Sequence, residues 1–224
     1  MGTSSGGRRV GRPRVVQRPD SGLEPRAELL AAAAELFTTH GYAATTTRAV
    51  AERAGMRQAS MYHYVSGKEE LLAELLESTV TPSLAYAREL LADDATPAAE
   101  RLRALCRADV ELLCAGPHNL GALYLLPEVR AERFAAFRAV RAELKDAYRQ
   151  LIAASVSASV SATASAATAG AAGGASAKGE LELRTDLVFG LIEGVILVHR
   201  SEPERPAREF ASATADAALR IVGV

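Results

Sequence analysis

The run from Thr45 to Leu72, TTTRAVAERAGMRQASMYHYVSGKEELL, restricts the possible fold more than any other part of the chain. It reads as two short helices about a glycine, followed by the capped start of a longer helix. A threonine cap opens the first helix, expected over about Thr46 to Ala54 with Ala49 and Val50 facing inward. Gly55 supplies the tight turn, because glycine takes positive φ without strain. The second short helix is expected over about Arg57 to Tyr64, anchored by Met61. Ser66 with Glu69 reads as a capping box for the third. That helix should run to about Leu91, with Leu71, Leu72, Leu75, Leu76 and Val80 on its apolar face.

Helical periodicity continues on both sides. Pro25 is a good first-turn residue, and Leu29, Leu30, Ala33, Leu36 and Phe37 then mark one buried face up to Gly41. Downstream, residues 97–115 form a helix ending at the GPHNLG break. A short helix is expected around Ala122 to Leu126. A longer one should run from about Glu128 to Ala154, with Phe134, Phe137, Val140, Leu144, Tyr148 and Leu151 on its apolar side. Two final helices are expected over about Leu181 to His199 and Arg205 to Ile221. No strand pattern is visible, so the expected class is all-α. The expected organisation is a disordered basic arm over 1–22, a helix-turn-helix domain over 23–70 and a helical domain over 71–224. Within the last, the Ala/Ser/Gly-rich stretch 155–178 reads as a flexible segment.

Charge and cysteine usage narrow the class. The net charge is -1, so there is no global basic field. Positive charge is instead local: Arg8, Arg9, Arg12, Arg14 and Arg18 lie near the start, and Arg48, Arg53, Arg57 and Lys68 lie around Glu52. Cys106 and Cys114 fit a reducing cytoplasm. They lie about 80° apart round a helix, a poor metal pair, and read as core thiols. The N-terminus lacks an apolar signal region. The most apolar run, Leu187 to Val198, is about half of a membrane span and contains Glu193. HExxH, GxSxG and dinucleotide glycine fingerprints are absent, and Tyr62 stands where a phosphate loop preceding Gly67-Lys68 needs glycine. Neither catalysis nor a cofactor is expected.

The second short helix has the chemistry of a DNA reader. A major groove admits one α-helix and displays distinct donors and acceptors on each base pair. Arg57, Gln58 and Ser60 are the outward residues at its start. Gln pairs bidentately with adenine and Arg with guanine. Arg48, in the preceding helix, can also reach a base edge. Thr46, Thr47, Tyr62, His63 and Lys68 surround this face with groups suited to phosphate contacts, which fix register without reading sequence.

These segments (TTTRAVAERAGM, MYHYV and SGKEELL) resemble the tetracycline-repressor (TetR) family over about residues 26–76. The resemblance implies that Arg48 and Gln58 touch bases while Thr47, Tyr62 and Lys68 hold the backbone. Arg57 departs from the family pattern, in which a serine-type cap is common. The resemblance also implies a dimer built from the last two helices of each protomer. The residues point the same way: LVFGLIEGVILVH is apolar almost all round, and Gly190 and Gly194 permit close helix approach. The expected interface comprises Leu187, Gly190, Leu191, Gly194, Val195, Val198, Phe210 and Ala217.

Polar groups amid the apolar faces of the middle helices suggest a small-molecule cavity, with Asp109, His118, Tyr124, Phe137, Arg138 and Glu193 as candidates. The combined expectation is a cytoplasmic, ligand-responsive regulator. It would bind a palindromic double-stranded DNA operator as a homodimer and be released by a small-molecule effector. Repression is favoured because no separate polymerase-contacting domain is seen. The alternative is a helical ligand-binding or scaffolding protein without DNA affinity.

Overall fold

The computed structural model describes residues 23–164, 174–202 and 204–224. The expected basic arm lies outside the described residues. The fold is all-α, as expected, with no strand among the described residues. In chain order, α1 is Pro25–Thr39, α2 Thr47–Arg53, α3 Gln58–Met61, α4 Lys68–Ala92 and α5 Ala98–Cys114. Three 3₁₀ turns follow, Leu120–Leu125, Pro127–Arg130 and Glu132–Phe134. The chain closes with α6 Ala135–Ala164, α7 Gly174–Ser201 and α8 Ala207–Val222. The first three helices form a small head on the start of α4. The far part of α4 packs with α5 and α6, and α5 packs in turn against α8.

Several expected boundaries shift, each for a local reason. The inward pair on α2 is Val50 and Ala51, both fully buried, whereas Ala49 is half-buried. The reading helix has four residues rather than eight. Beyond Met61 the chain continues as turns, with the Tyr64 and Val65 amides donating to the Met61 carbonyl at 2.9 and 3.1 Å. The expected capping box is not formed: Gly67 precedes α4 without a side-chain cap bond, and Ser66, one residue earlier, pairs with Glu70 instead of Glu69. The Glu70 carboxylate accepts from the Ser66 amide at 2.7 Å and the Ser66 hydroxyl at 2.8 Å.

The helix expected from Glu128 begins at Ala135 instead. The Arg138 guanidinium donates to the Val129 and Ala131 carbonyls at 2.8 and 2.7 Å. These bonds hold the preceding backbone outside the helix. At its other end α6 runs ten residues past Ala154, to Ala164. Alanine favours helix, and Ser155 is buried with its hydroxyl on the Leu151 carbonyl at 2.7 Å. The described parts of the expected flexible segment, 155–164 and 174–178, are therefore helical. The expectation otherwise falls on residues outside the described set.

The core is lined by Phe134, Phe137 and Tyr148, each at most 2% exposed. Burial of an apolar side chain of this size contributes about 1.5–3 kcal/mol. One charge-bearing group sits among them. Asp109 on α5 is buried and accepts from the Tyr148 hydroxyl at 2.7 Å, while its other oxygen has no hydrogen-bond partner. Burial pushes its carboxyl up to about 6, partly offset by the Ser83 and Tyr148 hydroxyls. Burial likewise raises the Cys106 thiol to about 12, which keeps it protonated and inert.

The Asp109 shift predicts a pH slope. The folded chain binds this proton more tightly than the unfolded chain, so stability falls as pH rises from about 4 through about 6 and then levels off. The span between 3.8 and about 6 corresponds to about 3 kcal/mol. Asp109→Asn should flatten that slope in urea-denaturation midpoints measured from pH 4 to 7.5. An unchanged slope would assign it to other groups.

Candidate functional site

The head is assembled so that one ridge stays in solvent. Thr46 caps α2, its hydroxyl accepting from the Ala49 amide at 3.1 Å. Gly55 takes φ +77° at the turn, and a Cβ there would meet nothing within 4 Å, so the glycine is needed for conformation alone. Met61 and Val65 are buried beneath the reading helix. A four-residue helix has no stability of its own, so these two anchors and the turn hold it in place.

On the outer side, Arg48, Gln58, Tyr62 and His63 are exposed. The Gln58 amide nitrogen donates to the Thr47 hydroxyl at 3.0 Å, and that hydroxyl lies 3.3 Å from the Tyr62 hydroxyl. The three side chains thus bridge α2 to the reading turn. Gln58 spends one N–H on Thr47 and keeps its other N–H and its carbonyl oxygen, the pair a bidentate adenine contact requires. Arg48 pairs with Glu52 at 2.8 Å, but both side chains are mostly exposed, at 74% and 62%. Solvent screens such an exposed pair, so the guanidinium is easily redirected.

Two expected contact residues have a further local use. Thr46 spends its hydroxyl on the cap. Lys68 is half-buried, and its ammonium donates to the Tyr42 and Thr45 carbonyls at 3.0 and 3.1 Å while lying 4.3 Å from the Tyr42 ring centre. Arg57 is exposed as the residue preceding α3, without a side-chain cap, and Ser60 is half-buried.

The ridge is fixed to the body by residues outside the expected contact set, among them Arg53, whose partner is Glu35 rather than the neighbouring Glu52. Arg26 on α1 donates to Glu70 at 2.7 Å, to Glu74 at 2.6 Å and to the Tyr64 carbonyl at the end of the reading turn. Arg53 donates to Glu35 at 2.8 Å. The Ser66 amide, then Arg26, hold the Glu70 carboxyl at about 2, well below its usual value of 4.5.

The candidate ligand residues divide. Tyr124, Phe137, Arg138 and Glu193 line one cavity of about 420 Å³, together with Arg130, Arg141 and Lys145. Arg141, not expected from sequence, makes a two-pronged bond to Glu193, Nε to Oε1 at 2.8 Å and Nη2 to Oε2 at 2.6 Å. Asp109 does not line that cavity, since its carboxylate is held within the core by Tyr148. His118 lines a separate space of about 270 Å³ with Cys114, Ile196 and His199.

The expected interface also divides. Val195 and Phe210 are buried in the protomer's own core. Leu187 and Val198 are exposed, and a Cβ on Gly190 or Gly194 would meet no atom within 4 Å. Leu191 and Ala217 are half-buried. Leu183 and Leu197, absent from the sequence-based set, are 55% and 66% exposed on the same stripe of α7.

Residues 29–75 match the description "Bacterial regulatory proteins, tetR family". The chain is 39% identical over 88 residues to the HTH-type transcriptional repressor KstR2 of Mycobacterium tuberculosis strain H37Rv, covering 39% of this chain and 44% of that protein. It is 31% identical over 134 residues to KstR2 of Rhodococcus jostii, covering 58% of this chain and 65% of that one. The chain therefore spans less than two thirds of these curated relatives. The crystal structure of Mycobacterium smegmatis AmtR superposes with a TM-score of 0.75 at 43% identity, covering 93% of this chain and 90% of that one.

The pH behaviour of Glu70 checks the clamp. Its folded carboxyl lies below the unfolded value, so its stabilising contribution is present above about 4.5 and is lost as pH falls toward about 2. Glu70→Gln should lower the melting temperature at pH 7, and the gap to the unsubstituted chain should narrow between pH 5 and 3. A gap independent of pH would mean that the charge is not what holds the clamp.

Proposed function

This chain belongs to the tetR family of bacterial regulatory proteins, and from that premise we propose that it is a ligand-responsive transcriptional repressor acting on a palindromic operator in the cytoplasm. The observation that carries the reading is the chain of hydroxyl and amide groups that half-buried Thr47 makes with exposed Gln58 and Tyr62, with exposed Arg48 beside it, on a head otherwise closed by packing. Gln58 and Arg48 read base edges. Thr47, Tyr62, His63, Arg57 and the third N–H of Lys68 hold phosphates. The described residues contain no helix long and apolar enough to cross a membrane.

The operator is found by footprinting the chain on its own upstream region. On that site Gln58→Ala should cost ~1–3 kcal/mol and relax preference at one base pair. Lys68→Ala should weaken specific and random DNA alike and reduce the salt slope by about one. It should also lower the melting temperature, because two carbonyls lose their donor. Equal effects of Gln58→Ala on specific and random DNA would count against base reading.

The repressor acts as a homodimer through α7. Leu183, Leu187, Gly190, Gly194, Leu197 and Val198 fall on one helical stripe at spacings of three and four residues. Its leucines and Val198 are unusually exposed for apolar side chains. The two glycines leave room for a partner helix. Paired heads then engage two half-sites about one DNA turn or a multiple apart. Sedimentation should give a dimer at micromolar concentration, and Leu187→Glu with Leu197→Glu should give a folded monomer with weakened operator binding. A wild-type chain that stays monomeric at high concentration would overturn this assembly.

A further inference from the structure

We propose that the cavity between the 3₁₀ segment, α6 and α7 binds an anionic amphiphile. A carboxylate or phosphate head would lie on Arg141, and an apolar body against Tyr124 and Phe137. This deepens the repressor reading by naming the chemical class of its effector.

The lining carries more positive than negative charge. Arg130, Arg138, Arg141 and Lys145 face it, with Glu193 as the opposing carboxylate. Two acids outside the lining reach in: Asp186 pairs with Lys145, and the almost fully exposed Glu132 lies 4.0 Å from Arg138. A cation excess remains after all three acids are counted. The remaining lining is apolar and aromatic, with the Tyr124 and Phe137 ring centres 5.5 Å apart. About 420 Å³ falls in the range of small-molecule sites.

The geometry at Arg141 gives the head its identity. The guanidinium lies over the Phe189 ring at 5.0 Å and 5.9 Å from the Tyr124 ring centre, so two aromatic rings flank it. Glu193 takes both of its outward donors in fork geometry, the arrangement that a ligand carboxylate or phosphate uses. Glu193 is therefore an internal stand-in for the head. A ligand that displaces it leaves a carboxylate among Arg138 and Lys145, which line the same space, so that charge is not stranded in an apolar setting.

The test uses the full chain without DNA. Decanoate, decyl phosphate, decanol and inorganic phosphate are titrated calorimetrically, the amphiphiles below their micelle concentrations. Decanoate or decyl phosphate should bind, and decanol and inorganic phosphate should bind at least tenfold more weakly. Arg141→Gln should weaken the anionic amphiphile about tenfold or more and leave decanol unchanged. Glu193→Gln should strengthen it by removing the internal competitor, a direction that a merely structural role would not produce. It also keeps the test open if Arg141→Gln fails to fold. Decanol matching decanoate, inorganic phosphate matching decyl phosphate, or weaker or unchanged binding in Glu193→Gln would overturn the proposal. Operator binding is measured separately: its loss with amphiphile binding intact sinks only the repressor reading, and the reverse result sinks only this one.

Discussion

The head depends on a single carboxylate at the start of α4. Glu70 accepts the Ser66 amide and hydroxyl, which closes the first turn of α4, and it also accepts Arg26 from α1. Arg26 in turn reaches the carbonyl of Tyr64, where the reading turn ends. One acid and one base thus tie three elements across the side that Met61 and Val65 do not reach by burial. The groups are partly exposed, so each ion pair is individually modest. Their value lies in shared geometry, since the same carboxylate holds the Ser66 residue just before α4 and a cross-helix partner.

That tie matters because the reading turn cannot support itself. Four helical residues contribute almost nothing by propensity. Met61 and Val65 fix its depth, Gly55 fixes its approach, and Lys68 closes the loop before α2 by holding the Tyr42 and Thr45 carbonyls. With position settled from beneath, the outer side chains need little ordering among themselves. The Thr47 hydroxyl joins Gln58 and Tyr62, which keeps both upright on the surface without burying either.

Much of this was legible in sequence because it follows from local rules. The Thr46 cap, the positive φ at Gly55, the Met61 anchor and the apolar face of α4 come from periodicity and single-residue conformational preference. What was missed depends on partners distant in the chain. Glu70 rather than Glu69 pairs with Ser66 because Arg26, 44 residues earlier, favours its placement. The stop before Ala135 comes from Arg138 folding back on two carbonyls, in a stretch whose periodicity alone reads as helix. Pro82 inside α4 gave no boundary: the helix continues through it, exposed, with Thr79 bonding the Leu76 carbonyl nearby. Val195 and Phe210 were assigned outward because an all-round apolar helix does not say which side faces its own core. Arg141 was passed over because an arginine on a helix reads as solvated until Glu193, 52 residues on, is seen against it.

The position of the 3₁₀ segment suggests how a cavity and a ridge could share one equilibrium. Residues 120–134 lie between them. Tyr124 and Val129 line the proposed ligand cavity, while Glu128, Arg133 and Phe134 line a second space of about 370 Å³ with Tyr42, Lys68 and Glu69 of the head. Arg133 meets Glu69 at 3.2 Å, and the Tyr124 hydroxyl donates to Thr79 on α4. Close packing fixes the segment on its far side, where a Cβ on Gly121 would lie 2.5 Å from the Ile196 side chain. A ligand drawing Arg138 from the Val129 and Ala131 carbonyls would release the same backbone that carries Arg133. The free energy for any shift of the head is limited to the ligand's differential affinity for the two arrangements. Redirecting Arg138 and exchanging one carboxylate for another at Arg141 are small changes in gross interaction. They suit a switch whose two states must lie within a few kcal/mol of each other.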